Sequence, residues 1–436
     1  MNSQTSTELT NDMRILWVKP GGLWPVNTGG RLRSFNIISE LSRRNQVSVL
    51  TTHRPDDDCS ALAENLPLCR SVTSLDYSAP KRTSLKFAAT LIKSWCSELP
   101  VDLYKFRIAK LRQEVTLALA SGEFDLCIAD FLVALPNTPF NLSARFAHTR
   151  VPVIYFSHNV EHMIWKRLCR NDKNPLRRLI LEIEWRKMRH YEAKACKRVD
   201  LTIAVSEEDR DQLIRMAPGS KSCAVPTGVD IEYFKPIPDT AQKPFELVFT
   251  GSMDWHPNED AILYFIDNIL PHIKKRLPAV TLTVAGRNPS PLLQSVAAKT
   301  GVSLTGTVDD IRPFIQQAAV YVVPLRIGGG TRLKIFEALA MGKAIVSTTI
   351  GAEGLPLIEG HHLLRADEPV KFAEQVVYLL NDKHQREQLG KAGRTLVEES
   401  YSWATVAAEF ETRCRSALPV NALTASASEK LSVTSQ

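Results

Sequence analysis

The feature that most limits how this chain can fold is an alternation of short apolar runs with amphipathic stretches. It occurs twice, on either side of a proline-rich break. In the first half, apolar runs at 14–18, 46–52, 124–130, 151–158, 199–206 and 222–226 have the length of strands. Helical stretches separate them; the first, from about 32 to 44, sets Phe35, Ile38 and Leu41 at spacing three. Short runs without polar alternation are buried on both faces, as in a parallel sheet covered by helices. The segment FKPIPDTAQKPF at 234–245 has three prolines and reads as a linker. The pattern then restarts at 246–251, 280–286, 302–306, 319–324 and 343–348, with a helix expected over 331–341 and three more at 369–380, 383–399 and 402–416. The spacing predicts two α/β domains of the doubly wound class, at 13–233 and 246–401, with the tails 1–12 and 417–436 expected to be disordered. Two such domains facing one another would place the carboxyl ends of both sheets around a cleft, where ligands of these sheets bind.

Composition removes several classes. With 44% hydrophobic and 23% charged residues the chain reads as an ordinary soluble protein. No apolar run reaches the roughly 18 residues that span a bilayer. The polar start MNSQTSTELTND lacks the layout of a secretory signal, so the expectation is a cytoplasmic protein. Eight scattered cysteines, with no C-x-x-C pair, read as reduced thiols. The net charge of +7 is concentrated: residues 166–198 carry twelve basic side chains against four acidic ones. That segment reads as two helices broken near Pro175, either a solvated helix face or a surface drawn to anionic lipids at the inner face of the plasma membrane. Nucleic acid is not expected, because no recognised binding module accompanies the charge.

The chemistry concentrates in GGGTRLKIFEALAMGKAIVST, residues 328–348. Gly328, Gly329 and Gly330 lead from a strand into a helix, so backbone can approach a ligand closely. The first free N–H groups, around Leu333 and Lys334, can then face an anion. Thr331 is the expected N-cap. Arg332 and Lys334 put two cations in a first turn that favours acids, which makes sense with an anion bound there; without one, both would reach water. Glu337, one turn on and among apolar residues, needs donors, either the hydroxyls of a ribose or a loop amide.

This segment resembles the donor-binding signature of the retaining glycosyltransferases of family 4, which have the two-domain GT-B fold; the resemblance extends over about residues 13–416. VPTGVDIEYFKP at 225–236 is similar to the family's interdomain stretch, and AVSEEDRDQL at 204–213 to the helix entry before it. LTGTVDDI at 304–311 resembles the loop framing the nucleotide base, which makes Val308 the implied contact. TGG at 28–30 is similar to the first-domain loop that closes on the donor phosphates, which brings in Gly29 and Gly30. Gly251, opening GSMDWHPNED, joins the implied donor-binding set. The family's two glutamates eight positions apart fall on Gly329 and Glu337, so the first is missing. Its usual arginine and lysine after the first strand of the second domain fall on Ser252 and Pro257, which leaves Arg332 and Lys334 as the expected cations.

The resemblance also implies a role for His158, in SHNVEH at the end of an apolar run, near the donor sugar and acceptor, with Asn159 and Glu161 beside it. It implies that the helix 402–416 crosses back to the first domain. No metal and no cofactor are expected: Asp56, Asp57 and Asp58 read as a hydrated loop, and there is neither a P-loop nor a nucleophile elbow. The function this implies is transfer of a sugar from a nucleotide diphosphate sugar to a glycan or lipid-linked acceptor, in exopolysaccharide or cell-surface polysaccharide synthesis. The competing expectations are a nucleotide sugar 2-epimerase and a catalytically inactive nucleotide-sugar-binding scaffold.

Overall fold

The computed structural model describes residues 12–55, 57, 60–81, 83–139, 150–172, 174–238, 240–327 and 332–419. The chain forms two compact units, one from residues up to Pro226 together with Ala407 onward, the other from Thr227 to Val406. Each unit is one twisted parallel sheet with helices on its faces.

The first sheet contains β1 (Arg14–Lys19), β2 (Gln46–His53), β3 (Ser71–Asp76), β4 (Leu126–Asp130), β5 (Val153–Ser157), β6 (Leu201–Ala204) and β7 (Ser222–Ala224), in the order 3-2-1-4-5-6-7. Every pairing is parallel; β1 aligns Ile15 with Val47 on one side and with Leu126 on the other. The second sheet contains β8 (Glu246–Thr250), β9 (Thr281–Ala285), β10 (Ser303–Leu304), β11 (Val320–Val323), β12 (Ala344–Ser347) and β13 (Leu364–Arg365), in the order 10-9-8-11-12-13. The strand order reverses between β1 and β4 in the first unit and between β8 and β11 in the second. At such a reversal the loops at the carboxyl ends diverge and leave a crevice for a ligand.

The central strands are continuous apolar runs because both faces are covered. β4, β5, β8, β11 and β12 are buried at every position. The helix after β1 spans Gly29–Leu41, three residues ahead of the predicted stretch, because Thr28 is extended and its hydroxyl accepts the Arg31 N–H. The basic segment forms the helices Glu161–Asn171 and Pro175–Arg198; Asn174 caps the second, and its proline sits in the first turn, where no N–H is needed.

The boundary between the units falls at Pro226, ahead of the proline-rich stretch 234–245. That stretch is fastened to the second unit. The Arg394 guanidinium donates to the carbonyls of Ile231 and Phe234, and Lys243 N donates to Gln317 O. The last helix, Trp403–Ser416, starts in the second unit and ends in the first. Phe410 is fully buried in the first unit, with its ring 5.8 Å from that of Trp17 and 4.9 Å from that of Phe156. The tail 420–436, and all but the last residue of 1–12, lie outside the described residues.

Candidate active site

Each sheet reversal carries a cluster of polar side chains. In the second unit, β8 delivers Gly251 and the turn that follows it, and the helix Leu333–Ala340 delivers Lys334 and Glu337. The Lys334 ammonium donates to Asn258 Oδ1 at 2.8 Å and lies 4.0 Å above the Phe249 ring. Asn258 in turn donates to Ser252 O at 2.8 Å. Gly251 has a φ of +152°, and a Cβ there would lie 2.7 Å from Asn258 Nδ2 and 2.9 Å from Lys334 Nζ. Glycine is required at this position because the ammonium fills the space a side chain would take. Burial pulls the Lys334 ammonium down to about 7; Glu337 opposes this and Arg332 reinforces it. Burial likewise pushes the Glu337 carboxyl up to about 7, against the pull of Lys334. Two groups one helical turn apart, each poised near neutrality, can exchange charge with a bound anion and its hydroxyls.

Arg332 is turned away from this pair. It is buried at the capping position of the helix, donates to Ile350 O at 3.1 Å and lies 3.8 Å from Glu353, so it holds the turn after β12. Leu333 is the first helical residue, and Val308 lies half-buried in the loop after β10. Gly328, Gly329, Gly330 and Thr331 lie outside the described residues.

In the first unit the reversal brings together Lys19 from β1, Asp130 from β4, His158 after β5 and Arg33 from the first helix. Asp130 accepts from Trp17 Nε1 at 2.8 Å, pairs with His158 Nε2 at 2.7 Å and lies 3.4 Å from Lys19 Nζ. Arg33 Nη1 sits 2.9 Å from His158 Nδ1. A guanidinium only donates, so Nδ1 accepts and the ring proton sits on Nε2, directed at Asp130. Burial lowers His158 to about 3, with Arg33 and Lys19 adding to the effect and Asp130 opposing it; the ring is neutral at ordinary pH. Burial alone would raise the Asp130 carboxyl, but Lys19 and His158 outweigh it and hold it well below the usual carboxylate range. His158 was expected at the end of β5, and it is there. Its side chain, however, is enclosed, with both nitrogens engaged.

Phe131 stacks on the His158 ring with centroids 3.8 Å apart, and Lys19 Nζ lies 4.2 Å from the centre of the Phe131 ring. Phe131 holds a φ of +69°, uncommon for an aromatic residue and found where surroundings over-determine the backbone. Its ring abuts Gly30, where a Cβ would come within 2.5 Å of it. The glycines of TGG therefore start the helix, Gly29 in its first position and Gly30 against Phe131. Arg31 ties the preceding loop down by donating to the carbonyls of Gly21, Trp24 and Pro25.

Near His158, the Glu161 carboxyl is pushed up to about 8 by burial and by Glu192. Glu192 caps the Glu161–Asn171 helix by accepting from the N–H groups of Glu161 and His162 and pairing with the His162 ring at 2.8 Å, so His162 is structural. Of the acidic run 56–58 only Asp57 is described, and it accepts the Arg54 N–H. Lys19, Asp130 and Asn258 do not emerge from the sequence reading. The signal available for the first two was a charged residue closing an apolar strand, RILWVK and FDLCIAD.

Two family models match the chain. "Glycosyltransferase Family 4" covers residues 29–233, and "Glycosyl transferases group 1" covers 244–382. A Klebsiella pneumoniae protein described as an uncharacterized 44.6 kDa protein in the cps region is 20% identical over 89% of this chain and 96% of its own length. The phosphatidyl-myo-inositol mannosyltransferase of Mycobacterium tuberculosis is 28% identical over 48% of this chain and 57% of its own length. Among solved structures, Anabaena HepE in complex with UDP and glucose matches with a TM-score of 0.63 at 16% identity, over 93% of this chain and all of that one. The sucrose-phosphate synthase of Thermosynechococcus elongatus matches with a TM-score of 0.66, also at 16% identity, over 92% and 99%.

Proposed function

Since the chain belongs to the family 4 glycosyltransferases and has the GT-B fold, we propose that it moves a sugar from a nucleotide diphosphate sugar to a glycan or lipid-linked acceptor. In this reading the anomeric configuration is retained, no metal takes part, and the product belongs to exopolysaccharide or cell-surface polysaccharide. The observation that carries it is the Lys334–Glu337 pair beside Gly251 at the reversal of the second sheet. A nucleotide diphosphate needs a cation for its phosphates and an acceptor for its ribose hydroxyls, and the pair offers both one helical turn apart. Val308 would meet the base, and the N–H groups around Leu333 would meet phosphate. Arg332 acts through the turn it holds and through its field on Lys334.

The first unit supplies the sugar and acceptor side. His158, neutral and locked between Asp130 and Arg33, fixes the end of β5, and Phe131 packs against Gly30 at the helix start. His158 therefore serves by position and not by transferring a proton. A resemblance to the HepE complex with UDP and glucose favours a uridine diphosphate donor, and the mannosyltransferase of phosphatidyl-myo-inositol favours a lipid-borne acceptor. The helices Glu161–Asn171 and Pro175–Arg198 leave Ile164, Leu168, Leu176, Leu179 and Ile183 exposed among Arg167, Arg170, Arg177, Arg178 and Arg186. Such a face is suited to peripheral contact with anionic lipid from the cytoplasmic side. No helix among the described residues is long and apolar enough to cross a membrane. The test is substitution at the pair: Glu337→Ala should abolish transfer and weaken nucleoside diphosphate binding while the protein stays folded. Unchanged binding would remove the donor site from this position.

A further inference from the structure

We propose that Arg287 and Lys334 together clamp the donor diphosphate, replacing the arginine and lysine whose expected positions are filled by Ser252 and Pro257. This rests on the nucleotide diphosphate reading above and assigns its phosphate contacts.

Ser252 links the two cations, one directly and one through Asn258. The loops after β8 and β9 are joined by main-chain bonds from Gly251 N to Ala285 O at 3.0 Å and from Met253 N to Arg287 O at 2.9 Å. Arg287, the second residue after β9, donates its Nε–H to Ser252 Oγ at 2.8 Å. Ser252 Oγ donates to Asp254, whose other oxygen accepts from Asn288 Nδ2 at 3.0 Å. This chain fixes the guanidinium by its Nε and leaves the Nη edge, the fork that matches phosphate oxygens, without a hydrogen bond to any described residue. From the other side Lys334 reaches Asn258, and Asn258 donates to the Ser252 carbonyl. A guanidinium thus arrives on the hydroxyl of Ser252 and an ammonium, through one amide, on its carbonyl.

The neighbouring cations are committed elsewhere. Arg326 pairs with Asp260 at 2.6 Å, and Arg332 is turned to Ile350 O and Glu353. Among the described residues, Arg287 and Lys334 have no carboxylate within ion-pair distance; they bond a hydroxyl and an amide. Asp254 and Glu337 act on them as electrostatic counterweights. Neutral partners leave both cations free to bind an anion without first breaking an ion pair. Gly251 adjoins the Lys334 ammonium, which takes the space of its missing side chain.

The experiment is calorimetric titration of the full chain with UDP, GDP, uridine and guanosine, for the parent, Arg287→Gln, Lys334→Met and Arg287→Lys, with thermal melts to establish folding. The parent should bind one diphosphate more tightly than its nucleoside. Arg287→Gln and Lys334→Met should each weaken that diphosphate about tenfold or more and leave the nucleoside within twofold, and Arg287→Lys should recover part of the loss. If Arg287→Gln binds the diphosphate as the parent does, the two-cation clamp is wrong and the donor reading stands. Equal losses for nucleoside and diphosphate also overturn the clamp, since the damage is then not to phosphate contacts. A parent that binds neither diphosphate removes the donor reading, and the clamp with it.

Discussion

Replacing Phe410 with alanine should destabilise the first unit, although Phe410 follows the whole second unit in sequence. Its ring is fully buried between Trp17 of β1 and Phe156 of β5. Val406, Ala407 and Cys414 on the same helix face are buried as well. Truncating a buried phenylalanine costs about 3–5 kcal/mol, the lost transfer energy plus the cavity left behind. For a cooperative unit of roughly 200–250 residues, each kcal/mol lowers the melting temperature by about 2–4 °C, so the first unit should melt about 6–20 °C earlier. Hydrogen exchange read by peptide locates the effect. Protection should fall in β1, β4 and β5 and hold in β8, β11 and β12. A loss confined to the second unit, or a shift of under about 2 °C, would refute the packing argument.

The remaining predictions concern the polar clusters. Glu337→Ala should raise the dissociation constant for a nucleoside diphosphate about ten- to a hundredfold by titration calorimetry, the loss of a charge-assisted bond of about 1.5–3 kcal/mol. Diphosphate affinity should fall between pH 6 and pH 8: Lys334 and Glu337 are both poised at about 7, so the pair loses positive charge across that window whichever group releases its proton first. Flat affinity over that range would contradict the assignment of charge. Asp130→Asn should cost about 3–5 kcal/mol in denaturant unfolding, because it leaves Lys19 buried without its counter-charge. The Asp130 carboxyl is held below its unfolded value near 3.9, so its contribution is present above that pH and is lost as pH falls toward the folded value; the variant should lack that component of acid unfolding. Added chelator should leave sugar transfer intact, and a loss restored by magnesium or manganese would refute the metal-free mechanism.

The central strands were readable because they are buried on both faces, as in the runs at 124–130, 151–158 and 343–348; the edge strands β3, where only Leu75 is buried, and β13, two residues long, were not read. Boundaries were less readable where a cap decides them: Thr28 starts a helix three residues before the stretch expected from its apolar spacing. The linker reading followed the prolines at 234–245, but what fixes that segment is Arg394, 160 residues downstream of Phe234, and its guanidinium bonds are invisible to any local pattern. The same limit governs the sites. Lys334 could be singled out from the glycine-rich segment, whereas its partner Asn258 and the arrival of Arg287 on Ser252 depend on two loops joined only in the folded sheet. His158 was found by its place after β5. That both its nitrogens are occupied required Arg33 and Asp130, 125 and 28 residues away.

The most direct test of the central claim supplies the purified full chain with UDP-glucose and a panel of other nucleotide diphosphate sugars, with and without a lipid extract of cell membranes. The measurement is release of nucleoside diphosphate together with radiolabelled sugar in the lipid or glycan fraction. The account predicts that one donor is consumed, that the extract accelerates the release, and that the labelled product keeps the donor's anomeric configuration by NMR. An epimerised nucleotide sugar formed without any acceptor, or tight donor binding with no turnover in the presence of the extract, would contradict it.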